Sequence, residues 1–371
     1  MSQRPITRVL LMSLVLALLA LLVLAATAQG DGPLYTVPER FGVGVSPYVG
    51  HSISEYDLSG FALGWYSDWR FATAPDCPDG IVYAQLVDVY EGNLLGSQAV
   101  IVSAASANPG ALWMIGNEPE NEHRGNSSPE AYAAAYNEAY TLIKGADPSA
   151  RIAVGGVTEP TPLRLEWLER VLASYSAQFG VDMSSHIDAW TIHVQITPER
   201  RGSWGAKIPV GLSDDVGETF GMADGNFAPN ADVTIFKRLV RDFCDWMVEQ
   251  GERDKELIIS EYGVLFPSDM LGGGDAAVGN QMVIDFMTES FDFLLSEQDS
   301  ESGLASDEGR LVQRWLWYSL NGVWYDEDPD TGFNGSLFEW DDPSQMTIFG
   351  EAYRDYVFRP FKAYLPVTCR P

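Results

Sequence analysis

Leu112-Trp113-Met114-Ile115-Gly116-Asn117-Glu118-Pro119-Glu120 is an apolar run that ends in an amide and a carboxylate, closed by a proline. A short continuous apolar stretch bounded in this way reads as a strand buried on both faces. Leu257-Ile258-Ile259-Ser260-Glu261-Tyr262-Gly263 repeats the pattern, again finishing in a single Glu. Six more β-like runs lie at residues 41–48, 61–67, 81–90, 151–158, 187–196 and 312–320. Between most of them the spacing turns helical. Ser128-Pro129-Glu130 starts a helix, Tyr132, Tyr136, Tyr140 and Ile143 share a stripe, and Gly145 stops it. Leu165, Leu168, Leu172 and Tyr175 mark a second face, Val233, Phe236, Val240, Phe243 and Met247 a third, and Met282, Val283, Phe286 and Phe293 a fourth. Eight strands alternating with helices predict an α/β fold with a parallel sheet, a (β/α)8 TIM barrel. The weakest link is Ala72 to Gly80, too short for a good helix.

Strands buried on both faces need a large core, and 371 residues with 46% apolar content supply one. No low-complexity linker divides the chain, so residues 29–371 are expected to form one barrel domain. Residues 197–230 and 322–345 form long connections after strands six and eight. Both leave the end of a barrel where ligands bind, and both read as cleft walls.

Residues 1–28 stand apart. Arg4 and Arg8 precede an apolar run from Val9 to Leu24, and Ala26-Thr27-Ala28 offers small residues for cleavage after Ala28. That is the layout of a secretory signal peptide, with an uncleaved membrane anchor as the competing reading. Export is expected, with no stable membrane association once the segment is removed.

With 23 Lys+Arg against 52 Asp+Glu the net charge is -29, and losing residues 1–28, which hold two Arg and no acid, leaves -31. A nucleic-acid binder needs a basic face, which this chain lacks. Polyanionic glycans are disfavoured as well, so a neutral ligand is expected. Cys77, Cys244 and Cys369 are too few and too scattered for a zinc cluster. Cys77 and Cys369 can pair in an oxidising compartment.

The chemistry rests on Glu118 and Glu261. A carboxylate at the end of an apolar strand is partly desolvated, which raises its pKa towards that of a useful proton donor. Strands four and seven face each other across a barrel mouth, so the two carboxylates converge. Opposed carboxyl groups cleave glycosidic bonds: one protonates the leaving oxygen, the other attacks the anomeric carbon or activates water. Asn117 and Glu118 are neighbours, however, and both reach the cleft only if the strand bulges there.

Gly116-Asn117-Glu118-Pro119 and Ser260-Glu261-Tyr262-Gly263 resemble the signature of the clan A glycoside hydrolases, retaining enzymes on (β/α)8 barrels. The resemblance spans residues 40 to 360. It implies Glu118 as acid/base, Glu261 as nucleophile, Asn117 as donor to the sugar 2-hydroxyl, and Tyr262 beside the substrate. Arg314-Trp315-Leu316-Trp317-Tyr318 looks like the strand-eight tryptophan platform of the clan, with Trp317 as subsite floor. Asn334-Gly335-Ser336-Leu337, Thr347, Gly350 and Tyr353 are similar to the end of a subgroup that includes small endo-β-1,3-glucanases. That subgroup usually carries His-Trp-Tyr on strand six, where this chain has His193-Val194-Gln195. The tyrosine that would touch the nucleophile is therefore missing, while His193 stays a substrate-contact candidate. Trp65, Tyr66, Trp69, Trp204, Trp324 and Tyr325 follow strands two, six and eight and are candidate sugar-stacking rings, Trp65 and Trp69 foremost.

Asp326, Asp328 and Asp330 alternate like a calcium loop, but Leu337 stands where the bidentate Glu belongs. His51, His123, His186 and His193 form no H-x-H or H-E-x-x-H pattern. No metal or other cofactor is implied. The expectation is a secreted, monomeric retaining glycoside hydrolase acting on a neutral β-linked oligo- or polysaccharide, a β-glucan first. The alternatives are a carbohydrate-binding barrel without catalysis and, further off, a barrel metallohydrolase.

Overall fold

The computed structural model describes residues 32–222, 225–323 and 333–358. The expected export segment, Cys369, Trp324, Tyr325 and the aspartates at 326, 328 and 330 lie outside them. Eight parallel staves follow one another: β1 Phe41–Gly44, β2 Trp65–Ser67, β3 in two pieces (Val82–Tyr83 and Gln85–Val87), β4 Leu112–Asn117, β5 Arg151–Val157, β6 Ala189–Val194, β7 Glu256–Tyr262 and β8 Arg314–Trp317. Strand β8 pairs with β1, Phe41 opposite Trp315 and Val43 opposite Trp317. The first piece of β3 pairs with β2 and the second with β4. Ala84 between them donates to the Tyr66 carbonyl at 2.9 Å. The sheet thus returns on itself as a TIM-like α/β barrel.

Helices α1 Gln98–Ala107, α2 Pro129–Ala146, α3 Pro162–Phe179, α4 Val233–Glu249, α5 Ala276–Ser296 and α6 Ile348–Phe358 complete the alternation. Their starts follow local chemistry. Ser128 caps α2 ahead of a proline, and Asp275 caps α5 by accepting from the Ala277 and Val278 amides. Gly180, at φ 68°, ends α3 in a left-handed conformation suited to glycine. After β1 and β2 the chain makes only single 3-10 turns, at Ile53–Glu55 and Pro78–Gly80, the second in the stretch the sequence marked as too short for a good helix.

Strand parity sorts the core into two layers. Trp65, Ala84, Leu86, Leu112, Met114, Ala153, Ala189, Ile258 and Leu316 fill the barrel interior. Trp113, Ile115, Ile152, Trp190, Ile192, Ile259, Trp315 and Trp317 face outward and pack under the helices. The N-terminal end of the barrel is sealed by paired charges. Buried Arg40 makes two bonds to Asp307, at 2.7 and 2.8 Å. The Tyr35 hydroxyl joins Arg151 and Glu256 at 3.1 and 2.8 Å. Among the described residues no helix is long and apolar enough to cross a membrane.

Candidate active site

At the opposite end the strands open into a cleft of about 950 Å³. Asn117 and Glu118 both line it, which a regular strand forbids. The backbone resolves the conflict: Gly116 at φ 91° and Glu118 at φ 44° bend the chain as β4 ends. Strand β7 solves the same problem with a bulge. Ile259 pairs with Ile192 but Glu261 with His193, so Ser260 is one extra residue on β7. That insertion sets Glu261 level with His193 on the inward side.

His193 lies beneath the two carboxylates. Its Nδ1 is 3.1 Å from Glu118 Oε1 and 3.9 Å from Glu261 Oε2. One donor atom from each of Glu118, His193 and Glu261 lies within 4.8 Å of the other two. The imidazole has room because Gly156 carries no Cβ; one would stand 2.6 Å from His193 Cδ2. Glu118 also accepts from Asn121 Nδ2 at 3.2 Å. Glu261 accepts from Gln195 Nε2 at 2.6 Å, and the Trp69 indole reaches the same carboxylate.

These contacts set opposite electrostatic directions. Burial pushes Glu261 up to about 6, with the Glu118 charge adding to it against the opposing pull of His193, Arg124 and Trp69. Burial acts on Glu118 too, but the hydrogen bond and charge of His193, with Arg124 and Arg164, outweigh it and hold that carboxyl below its ordinary value. His193 is raised despite its burial because both carboxylates surround it. The two carboxyls titrate as a coupled pair, so a proton belongs to the pair rather than to one residue. Two carboxylates and a histidine at this spacing are also a donor set able to hold a divalent cation.

Behind the cleft, Arg164 is buried between Glu120 at 2.7 Å and Glu199, and it donates to the Ala206 carbonyl at 2.7 Å. Glu120 also takes the Thr158 amide and Glu159 the Thr197 amide, each at 2.8 Å. Burial pushes Glu159 well above the ordinary carboxylate range. One guanidinium thus ties together the connections after β4, β5 and β6.

The structure brings Glu118, Glu261, Asn117 and Trp69 to the cleft, with His193 directly under the carboxylates. Trp69 packs against Tyr318 at 5.2 Å between ring centroids, filling space left by Gly44, where a Cβ would stand 2.4 Å from the indole. Four expectations need correction. Trp317 is fully buried, donates to the Gly335 carbonyl at 2.9 Å and packs on Tyr262 and Phe291. Parity makes it an outward residue of β8, and the next one, Tyr318, enters the cleft instead. Tyr262 follows an inward Glu and so points outward, bonding Ser290 of α5 at 3.3 Å. Trp65 points inward but from the lower layer, its Nε1 on the Arg40 carbonyl at 3.3 Å and the Arg314 guanidinium 4.5 Å above its ring. Tyr66 is buried on the Asp76 carbonyl at 2.5 Å.

Sequence reasoning missed Gln195, Asn121, Arg124 and Tyr318, all of which line the cleft. Gln195 had a signal, since the sequence resemblance led to the expectation of a tyrosine there. Trp204, 38% exposed, lines the cleft and leans on Phe227 and Phe266 at 5.9 and 5.7 Å.

No family model and no curated protein matches the sequence. Several solved structures are similar. A GH128 subgroup I endo-β-1,3-glucanase from Amycolatopsis mediterranei in complex with laminaritriose aligns at TM-score 0.53 and 16% identity, covering 86% of this chain and 99% of that one. A GH128 subgroup III curdlan-specific exo-β-1,3-glucanase from Blastomyces gilchristii, in complex with glucose, aligns at 0.52 and 18%, covering 85% and 98%. A GH128 subgroup II endo-β-1,3-glucanase from Sorangium cellulosum aligns at 0.51 and 18%, with the same coverage of 85% and 98%. What these matches establish is the shared barrel.

Proposed function

We propose that the protein is a secreted retaining glycoside hydrolase that cleaves a neutral β-linked glucan. One observation carries the reading: a Glu118 and a Glu261 carboxylate oxygen lie within 4.8 Å of each other at the open end of the barrel. Retaining enzymes hold their carboxyl groups about 5–5.5 Å apart, whereas inverting ones need about 6.5–9.5 Å to admit a water. Asn117, Trp69, Tyr318 and Trp204 supply the hydroxyl-bonding edge and flat rings that pyranose faces pack against. The similarity to the β-1,3-glucanase barrels makes a β-1,3-glucan the first substrate to try.

In this mechanism Glu261 attacks the anomeric carbon while Glu118 gives its proton to the leaving oxygen. Glu118 then removes a proton from the water that releases the sugar from Glu261. One proton shared across the pair is sufficient, because the second carboxylate must be charged for attack.

The test is incubation with laminarin, curdlan and other neutral β-glucans, in the presence and absence of a chelator, with NMR of the first-formed anomer. Chelator-insensitive hydrolysis giving the β-anomer is expected. Binding without hydrolysis supports the non-catalytic barrel, the α-anomer overturns retention, and loss of activity on chelation points to a cation between Glu118, His193 and Glu261.

A further inference from the structure

Gln195 lies one residue beyond β6 and is only 3% exposed, yet it lines the cleft. Its backbone is pinned. The carbonyl accepts from Asn230 Nδ2 at 2.7 Å, and Asn230 Oδ1 in turn accepts from the Leu265 amide at 2.8 Å. One half of its side-chain amide is spent on Glu261, Nε2 to Oε1 at 2.6 Å. The other half, Oε1, is buried with no hydrogen-bond partner. Against an ionised Glu261 the opposite amide orientation would set oxygen against carboxylate oxygen, so the attacking form of Glu261 leaves Oε1 as the free end. A buried carbonyl left without a donor is unfavourable, and such atoms in a cleft mark where a ligand donor belongs.

Resting on the retaining reading, we propose that Gln195 acts at both ends: Nε2–H orients Glu261, and Oε1 accepts a hydroxyl proton from the pyranose whose anomeric carbon faces Glu261. Gln195 thereby becomes a specificity element. A sugar presenting a hydroxyl to Oε1 satisfies the orphaned acceptor, and a sugar lacking it leaves the acceptor desolvated.

The experiment uses aryl β-glucosides deoxygenated singly at the 2, 4 or 6 position of the reacting ring, assayed with wild type, Gln195→Leu and Gln195→Glu. In wild type one deoxy position is expected to lower kcat/KM by about 10-fold or more through the lost bond. In Gln195→Leu that penalty should shrink towards 1 while the other two keep their wild-type ratios. Gln195→Glu keeps an acceptor oxygen towards the sugar and should retain the deoxy penalty. Unchanged deoxy ratios in Gln195→Leu, or loss of the deoxy penalty in Gln195→Glu, overturn the inference alone. Should Gln195→Leu fail to fold, the isosteric Gln195→Glu decides. A wild-type enzyme inactive on every glycoside overturns the hydrolase reading along with it.

Discussion

The two ends of the barrel use ionisable residues in opposite ways. At the N-terminal end the acids are paired, Asp307 with Arg40 and Glu256 with Arg151 beside Tyr35, while buried Arg314 lies over the Trp65 ring. At the C-terminal end acids outnumber partners. Glu118 and Glu261 share one histidine, and Arg164 serves Glu120 and Glu199 with Glu159 alongside. Four of the eight buried side-chain atoms without partners among the described residues lie there, on Asn117, Glu120, Glu159 and Gln195, and these include all the unpartnered acid and amide oxygens. A satisfied end gains stability, while an under-satisfied end stores the perturbed carboxyls and open acceptors that a reaction uses.

The sharpest way to break this contrast is to remove the carboxylates. Glu261→Gln and Glu118→Gln should each lower kcat on a β-glucan at least ~10³-fold, with unchanged circular dichroism; near-wild-type turnover in either would reject the pair as the reacting groups. At the other end, Arg40→Ala strands Asp307 without its partner. Breaking such a buried pair costs about 3–5 kcal/mol, so the melting temperature should fall by several degrees while kcat/KM of the folded fraction holds. A loss of activity without a loss of stability would erase the division between the ends.

A smaller effect lies in the pH profile of kcat/KM. With Glu118 held below its ordinary value and Glu261 raised to about 6, the pair carries one proton between those two points. Below the lower point both groups are protonated and no nucleophile exists; above about 6 no acid remains. The rate should rise with pH through the first and fall through the second, about 10-fold per unit on either side. A flat profile from pH 5 to 8 would contradict the shared proton.

The smallest effect is on stability. A carboxyl raised from 4.5 to about 6 contributes stability that is present below 4.5 and lost as pH rises through about 6. Glu261→Gln removes that loss, worth about 2 kcal/mol. The variant should therefore melt a few degrees above wild type at pH 7.5 and show little gain at pH 4.5. Equal gains at both values would mean that ionisation of Glu261 is not the cause.

Much of the architecture was legible because burial imposes periodicity. The runs ending at Asn117 and Tyr262 needed apolar side chains on both faces, and so did the six others. The missing helix near residue 75 followed from chain length alone. Site residues were legible where chemistry constrains type, as with Glu118 and Glu261. They were misread where one step of strand parity decides the side. Trp317 and Tyr318 differ only in that step, and so do Glu261 and Tyr262. Parity itself is reset by the bulge at Ser260, which pairing register reveals and composition does not.

The order of apolar and polar residues along this chain determined the eight strands, their parallel alternation with helices, and two acids at the ends of strands four and seven. That information is local, carried by periodicity and capping within windows of ten to twenty residues. Tertiary structure alone decided that His193 lies under the two acids, that the Gln195 amide donates to Glu261, and that Tyr318 rather than Trp317 meets the cleft. Those outcomes depend on register between strands far apart in sequence, where one inserted residue turns a side chain from the helices to the cleft.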